Sequence, residues 1–180
     1  AFFTHIEDIH RPNDDTGKII QAIILNKDLW FWVIPFSNGK TSIGAVGDLS
    51  FFDPNKTNNE NFQKLIDSSS ILKNRFENLA YCFEPKRIDG YAAAVTKFYG
   101  DKFVLTGNST EFLDPIFSSG VTFALESGVL AAKLVAKTLN NENVDWEESY
   151  VKYIQKGVDT FRSYVNHWYD GDLQTVFFSK

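Results

Sequence analysis

The sequence predicts an α+β fold in which an antiparallel sheet is followed by helices. Three β-branched or aromatic runs lie between residues 19 and 46, separated by short turn signals. A long apolar pattern rich in alanine and glycine follows residue 116. An aromatic stripe at helical spacing then runs from 146 to 168.

Each element has a local cause. Ile19-Ile20-Gln21-Ala22-Ile23-Ile24-Leu25 is a strand pattern ended by Asn26-Lys27-Asp28. Residues 29–36 resume as a second strand, and Ser37-Asn38-Gly39-Lys40 is a strong turn signal. Residues 41–46 return as a third, completing a meander in which Gly44 permits a close backbone approach. Polar residues from 53 to 61 read as a loop. Phe62, Leu65, Ile66, Leu72, Phe76 and Leu79 then form a helical stripe over 61–79, weakened in the middle by Ser68-Ser69-Ser70. Residues 91–99 read as a strand, Gly100-Asp101 as a turn, and 103–106 as a short buried strand. A loop over 107–115 leads into a helix from about 116 to 139. Its Ala124, Ser127, Gly128, Ala131 and Ala132 would let another element lie close. A last helix over 146–168 carries Tyr150, Tyr153, Ile154, Phe161 and Val165. No internal repeat or low-complexity linker interrupts the chain.

Composition narrows the function classes. The 180 residues suffice for one sizeable domain or parts of two, and 43% hydrophobic with 23% charged content excludes long disorder. A net charge of −5 argues against a nucleic-acid partner, which would need clustered Lys and Arg. The single cysteine, Cys82, permits no intrachain disulfide and no cysteine-based metal site. Its neighbours Tyr81 and Phe83 favour a small core hydrophobe over a reactive thiol. His5, His10 and His167 lack metal-ligand spacing, so no metal is expected. No 18-residue apolar run predicts a membrane span, and the opening Ala-Phe-Phe-Thr-His is unlike a signal peptide. A cytoplasmic setting is the expectation, in which Asn55-Lys56-Thr57 and Asn108-Ser109-Thr110 are chance glycosylation-like triplets. No Gly-x-Gly-x-x-Gly or Walker loop occurs, and the abrupt start reads as the middle of something larger.

Two segments stand out chemically. In Trp30-Phe31-Trp32-Val33-Ile34-Pro35, an extended strand puts Trp30, Trp32 and Ile34 on one face and Phe31, Val33 and Pro35 on the other. That pattern suits either a strand buried on both sides or a wall for a planar aromatic molecule. The second segment runs from Gly107-Asn108 through Phe112-Leu113-Asp114-Pro115-Ile116-Phe117-Ser118-Ser119-Gly120. It joins a strand to a helix start, where Ser118 or Ser119 could cap the first turn, or the free amides could hold an anion or a polarised carbonyl. Asp114 fits an N-capping or loop role as well as a functional one.

The first segment matches the W-x-W-x-I-P fingerprint of flavin-dependent halogenases. Residues 112–120 match that family's second signature of Phe, Pro, Ser and Gly, in the family's order. The chain resembles this family over nearly its whole length. The wider group includes FAD-dependent aromatic hydroxylases and geranylgeranyl-reductase-like proteins. The resemblance implies the α+β portion of an FAD-binding α/β flavoprotein: a substrate-side antiparallel sheet with an inserted helix (1–100), a returning part of the FAD domain (101–140) and a C-terminal helical segment (141–180). It implies FAD contacts at Gly107, Asn108, Asp114, Pro115, Ser119, Gly120 and Val121, with halide held at Ser119 and Gly120. Trp30, Trp32, Ile34, Pro35 and Phe117 would line a substrate tunnel. The family's Gly-Asp pair is Gly107-Asn108 here, which changes the polarity at that point. Phe117 stands where tryptophan-directed members carry Glu, which implies a different substrate. The family's catalytic Lys falls in a more N-terminal region, so Lys40, Lys97 and Lys102 take no such role.

The expected activity is therefore that of an FAD-dependent oxidoreductase of the halogenase class. It would use reduced flavin and oxygen on an aromatic or unsaturated small molecule, with a separate flavin reductase as possible partner. A flavin hydroxylase, a double-bond reductase and a non-catalytic ligand-binding module are the alternatives.

Overall fold

The computed structural model describes residues 1–179, and the chain divides at Asp89 into two units. In the first, β1 (Phe2–Glu7), β2 (Gln21–Asn26), β3 (Leu29–Pro35) and β4 (Lys40–Gly47) precede two helices, α1 (Asn58–Asp67) and α2 (Ser70–Phe76). The short strand β5 (Lys86–Arg87) completes an antiparallel sheet of order β2-β3-β4-β1-β5. The expected meander is its β2-β3-β4 part. Strand β1 is an addition to that expectation, although Phe2, Thr4 and Ile6 alternate inward.

Register assigns the two sheet faces. Phe2 lies opposite Ala45, and Ala45 opposite Phe31; Thr4, Ile43 and Val33 line up in the same way. These rows form the core with Phe62, Leu65, Ile66, Leu72 and Phe76 of the two helices. Thr4 is tolerated there because its hydroxyl donates to the Phe83 carbonyl at 2.6 Å.

The single helix expected over 61–79 is two helices. Thr57 and Glu60 form a reciprocal capping box that starts α1 three residues earlier than the periodicity suggests. Ser68 then turns its hydroxyl back on the Leu65 carbonyl at 2.7 Å, and Ser69 caps α2. Serine hydroxyls compete with the helical ladder, so the serine run ends one helix and opens another.

The second unit holds short strand pairings and the long helices. Strand β6 (Ala93–Ala94) pairs with β9 (Glu111–Phe112), and β7 (Tyr99–Gly100) with β8 (Phe103–Val104). Residues 91–99 are thus not one strand. The strand expected to be buried is not buried either: Phe103 is 53% exposed, its ring lying over Gly100 on a two-residue hairpin. Helix α3 (Ser119–Leu139) comes next, then a π-helical turn at Glu147–Val151 that continues into α4 (Lys152–Asp170), and finally α5 (Asp172–Phe178). Gly171, at φ 89°, provides the left-handed break between the last two.

Phe123, Ala131 and Leu134 of α3 pack with Tyr150, Ile154 and Val158 in a second core. By length and composition alone α3 is apolar enough to cross a membrane, with a mean hydropathy of 1.3. Cys82 is exposed, not a core residue. Its backbone N–H pairs with the His5 carbonyl at 2.7 Å, and in that extended segment Tyr81 and Phe83 take the half-buried positions.

Candidate functional site

In the second unit, residues 107–121 fold into a cradle at the start of α3. Gly107 ends the strand region at φ 55°, and a side chain there would meet the Cα and Cβ of Ala124 at 3.2 and 3.1 Å. Its N–H donates to the Ser127 hydroxyl at 2.8 Å, and that hydroxyl donates on to the Phe123 carbonyl. Glycine at 107 is therefore required by strand-to-helix packing. Gly120 is different. A Cβ there would find only the Asn108 amide oxygen at 3.4 Å and the Phe112 ring at 3.5 Å, which is ordinary contact.

The helix start is open. Ser118 occupies the N-cap at φ 50°, and its side chain makes no capping bond. The plain capping role is thus not realised by Ser118. The amides of Ser119, Gly120 and Val121 open α3 without an intrahelical partner, and the first turn holds no acidic residue. Val121 is exposed, whereas the Ser119 side chain is buried. Such an end carries partial positive charge and suits a polarised carbonyl or an anion.

The preceding loop is held by Asp114. Its Oδ1 accepts from the Ile116 N–H at 2.9 Å and its Oδ2 from the Tyr169 hydroxyl at 2.9 Å. Burial pushes the Asp114 carboxyl above its usual range despite both bonds. Tyr91, half-buried and facing the Asp114 charge, is pushed up to about 12 by desolvation and that charge. Phe117 rests against Tyr164 and Trp168, with ring centroids 5.9 and 6.3 Å apart.

In the first unit, the sheet face opposite the helices is aromatic. Register lines up Phe3, Gly44 and Trp32, and likewise His5, Ser42 and Ile34. The Trp32 indole N–H donates to the Ser42 hydroxyl at 3.1 Å, and its ring centroid lies 6.3 Å from those of Trp30 and Phe3. His5 sits edge-on between Phe36 and Phe83, 5.0 Å from each. Trp30 is buried; Trp32, Ile34 and Pro35 are half-buried. A Cβ on Gly44 would fall 2.2 Å from Trp32 Cζ2, so the glycine is the seat of the indole. Gly44→Ala should displace Trp32, shift tryptophan emission and cost about 1–3 kcal/mol in a denaturant melt. Unchanged emission would contradict that seating.

The tryptophan halogenase family model matches residues 19–177, nearly the whole chain. The chain belongs to the tryptophan halogenase family. It is 50% identical to a flavoprotein/dehydrogenase from Cytophaga hutchinsonii, whose crystal structure it matches with a TM-score of 0.94 over 99% of this chain and 44% of that one. It is 25% identical over 155 residues to a 1H-pyrrole-2-carbonyl-[peptidyl-carrier protein] brominase of Pseudoalteromonas luteoviolacea, 85% of this chain and 38% of the relative. The flavin-dependent brominase Bmp2 shares the fold at a TM-score of 0.82 and 23% identity, over 93% of this chain and 43% of that one. The chain thus spans less than half the length of each of these relatives.

Within this halogenase-family chain, Gly107, Asn108 and Gly120 converge at the start of α3, and Asp114, Pro115 and Phe117 form the loop before it. The residues that sequence reasoning missed are partners. Phe3, His5 and Phe83 extend the tryptophan face; Tyr169 and Arg162 reach the second signature from α4. The outward alternation of β1 could have signalled Phe3 and His5; Phe83 lies outside that strand. Among the described residues no cluster of three potential metal ligands occurs.

Proposed function

We propose that this chain is the substrate-side and flavin-contacting portion of an FAD-dependent oxidoreductase of the halogenase class, acting on an aromatic or unsaturated small molecule. One observation carries the reading: an uncapped helix start at Ser119–Val121, beside a glycine at 120 that the fold itself does not demand. A glycine standing where the fold gives no steric reason for it suits close approach by a flat ligand.

The residues fit the cofactor. In its reduced form FAD supplies electrons to oxygen. The amides of Gly120 and Val121 would hold the pyrimidine edge and stabilise negative charge there. Asn108, with its carbonyl turned towards Gly120, would meet the ribityl and phosphate region with Gly107, and Asp114-Pro115 would shape the loop. Ser119 and Gly120 would also hold halide. Residues 1–100 would carry the substrate-side surface, 101–140 the flavin side and 141–180 the helical support. Trp30, Trp32, Ile34 and Pro35 would give the first unit a rigid wall for the substrate, and Phe117 would give the second unit an apolar surface for it. A separate flavin reductase and a cytoplasmic setting belong to the same proposal.

The test uses full-length protein with reduced flavin, oxygen, bromide and a panel of phenols, pyrroles and indoles. Brominated product is expected. Trp30→Phe and Trp32→Phe should alter the product distribution while leaving flavin reoxidation within about twofold, under ~0.5 kcal/mol. Products that are only hydroxylated or saturated, indifferent to bromide, would replace halogenation by hydroxylase or reductase chemistry on the same flavoprotein.

A further inference from the structure

Helix α4 touches the second signature along its length. Arg162 donates to the buried Glu111 carboxylate at the start of the segment. Tyr164 and Trp168 flank Phe117, and the Tyr169 hydroxyl reaches Asp114. Among these, the Tyr169 bond acts on the point where the backbone changes course.

The turn at that point leads directly into the open end of α3. Asp114 stands in extended conformation, and Pro115–Phe117 make one 3-10 turn held by the Asp114 bond to Ile116 N–H. Ser118 then takes a left-handed conformation at φ 50°, unusual for a residue with a side chain. Such a geometry persists only where its surroundings over-determine it. Ser118 joins that turn to the first amides of α3. Asp114 holds the near side of the turn with one oxygen and is itself held, through the other, by a helix 55 residues away in sequence.

We propose that Tyr169 is a positioning residue for the cofactor segment: through Asp114 it fixes the turn that aims the Ser119–Val121 amides. This rests on the functional reading above, in which those amides meet the flavin. The Asp114 carboxyl is half-buried, and that burial raises its pKa. Removing the Tyr169 hydroxyl would leave that oxygen short of a partner and release the carboxylate to rotate off the Ile116 N–H. The phenyl ring would still fill its place.

The experiment is a double-mutant cycle in the full-length protein with Tyr169→Phe, Asp114→Ala and the pair, titrated with FAD and followed by flavin absorption. Tyr169→Phe should weaken FAD binding about tenfold and shift the flavin bands. Asp114→Ala should weaken it further, and the double variant should bind no worse than Asp114→Ala alone. Tyr164→Phe, whose residue meets the same loop through its ring, should bind FAD as the wild type does. Wild-type affinity and spectrum in Tyr169→Phe would overturn the inference, as would additive losses in the cycle. A fall in denaturant midpoint with FAD binding unchanged would also overturn it, leaving Tyr169 a purely structural residue. Should Tyr169→Phe fail to fold, Asp114→Asn replaces it. The amide can still bond both neighbours, so FAD binding clearly tighter than that of Asp114→Ala supports the inference, and loss equal to that of Asp114→Ala overturns it. Absence of FAD from the wild type would instead refute the functional reading, and the inference with it.

Discussion

Full-length protein carrying Gly120→Val should purify without flavin, whereas Gly120→Ala should retain part of it. The distinction comes from the chain's own geometry. A Cβ at 120 sits at 3.4 Å from the Asn108 oxygen and 3.5 Å from the Phe112 ring, so alanine enters the apo fold without displacement. Valine adds two methyl groups to the first turn of α3, where the helix itself tolerates a β-branched residue better than glycine in its interior. The fold therefore has little reason to fail. Any loss belongs to a ligand that needs the space above the backbone. About 100-fold weaker FAD binding for valine corresponds to ~2.8 kcal/mol. Gly107 supplies the contrast: alanine there strains a φ of 55° and meets Ala124, so it should lower stability with or without flavin. Flavin content in Gly120→Val equal to that of the wild type would remove the cofactor from this helix start.

Legibility divided along physical lines. Strands β2, β3 and β4 were readable because their turn signals are local and β-branched or aromatic residues recur in each run. Strand β1 has the same alternation, but Thr4 and His5 dilute it, and its core position for Thr4 depends on a carbonyl 79 residues away. The single helix over 61–79 failed because serine hydroxyls broke a stripe whose apolar spacing alone looked continuous. Gly120 in the second unit and the tryptophans in the first were legible as residue types in a recognisable order. Their reasons were not. That Gly107 is demanded by packing and Gly120 is not depends on Ala124 and Phe112, and that Ser118 leaves the helix uncapped depends on a left-handed turn. Tyr169 gave no signal at all, since its partner Asp114 is brought to it only by the fold.

Asp8→Ala should destabilise the first unit by about 3–5 kcal/mol at pH 7, the range for removing one partner of a buried charge cluster. The Asp8 side chain is fully buried just beyond β1. Arg75 of α2 grips both its oxygens, one at 2.8 Å, and the Thr41 hydroxyl on β4 donates to Oδ2 at 2.6 Å. Arg11 lies 3.5 Å away and donates to the Phe36 carbonyl and the Thr41 hydroxyl. One carboxylate thus ties a helix and a loop to the ends of the interior strands β1 and β4, and its loss leaves two mostly buried guanidinium groups without their counter-charge. Burial pushes the Asp8 carboxyl up, but hydrogen bonds from Arg75 and Thr41 and the charges of Arg75 and Arg11 outweigh it, so the group titrates below its usual value. A depressed carboxylate contributes stability above its unfolded pKa of about 3.9, and that contribution disappears as pH falls through the lower folded value. Denaturant midpoints of the wild type and Asp8→Ala should therefore differ most near neutrality and converge only below about pH 4. Asp114 runs the other way: its raised pKa makes the charged form costly, and stability is regained as pH falls through that value towards the unfolded one. A midpoint difference for Asp8→Ala that stayed constant from about pH 7 to about pH 3 would show that the cluster stabilises by packing and not by charge.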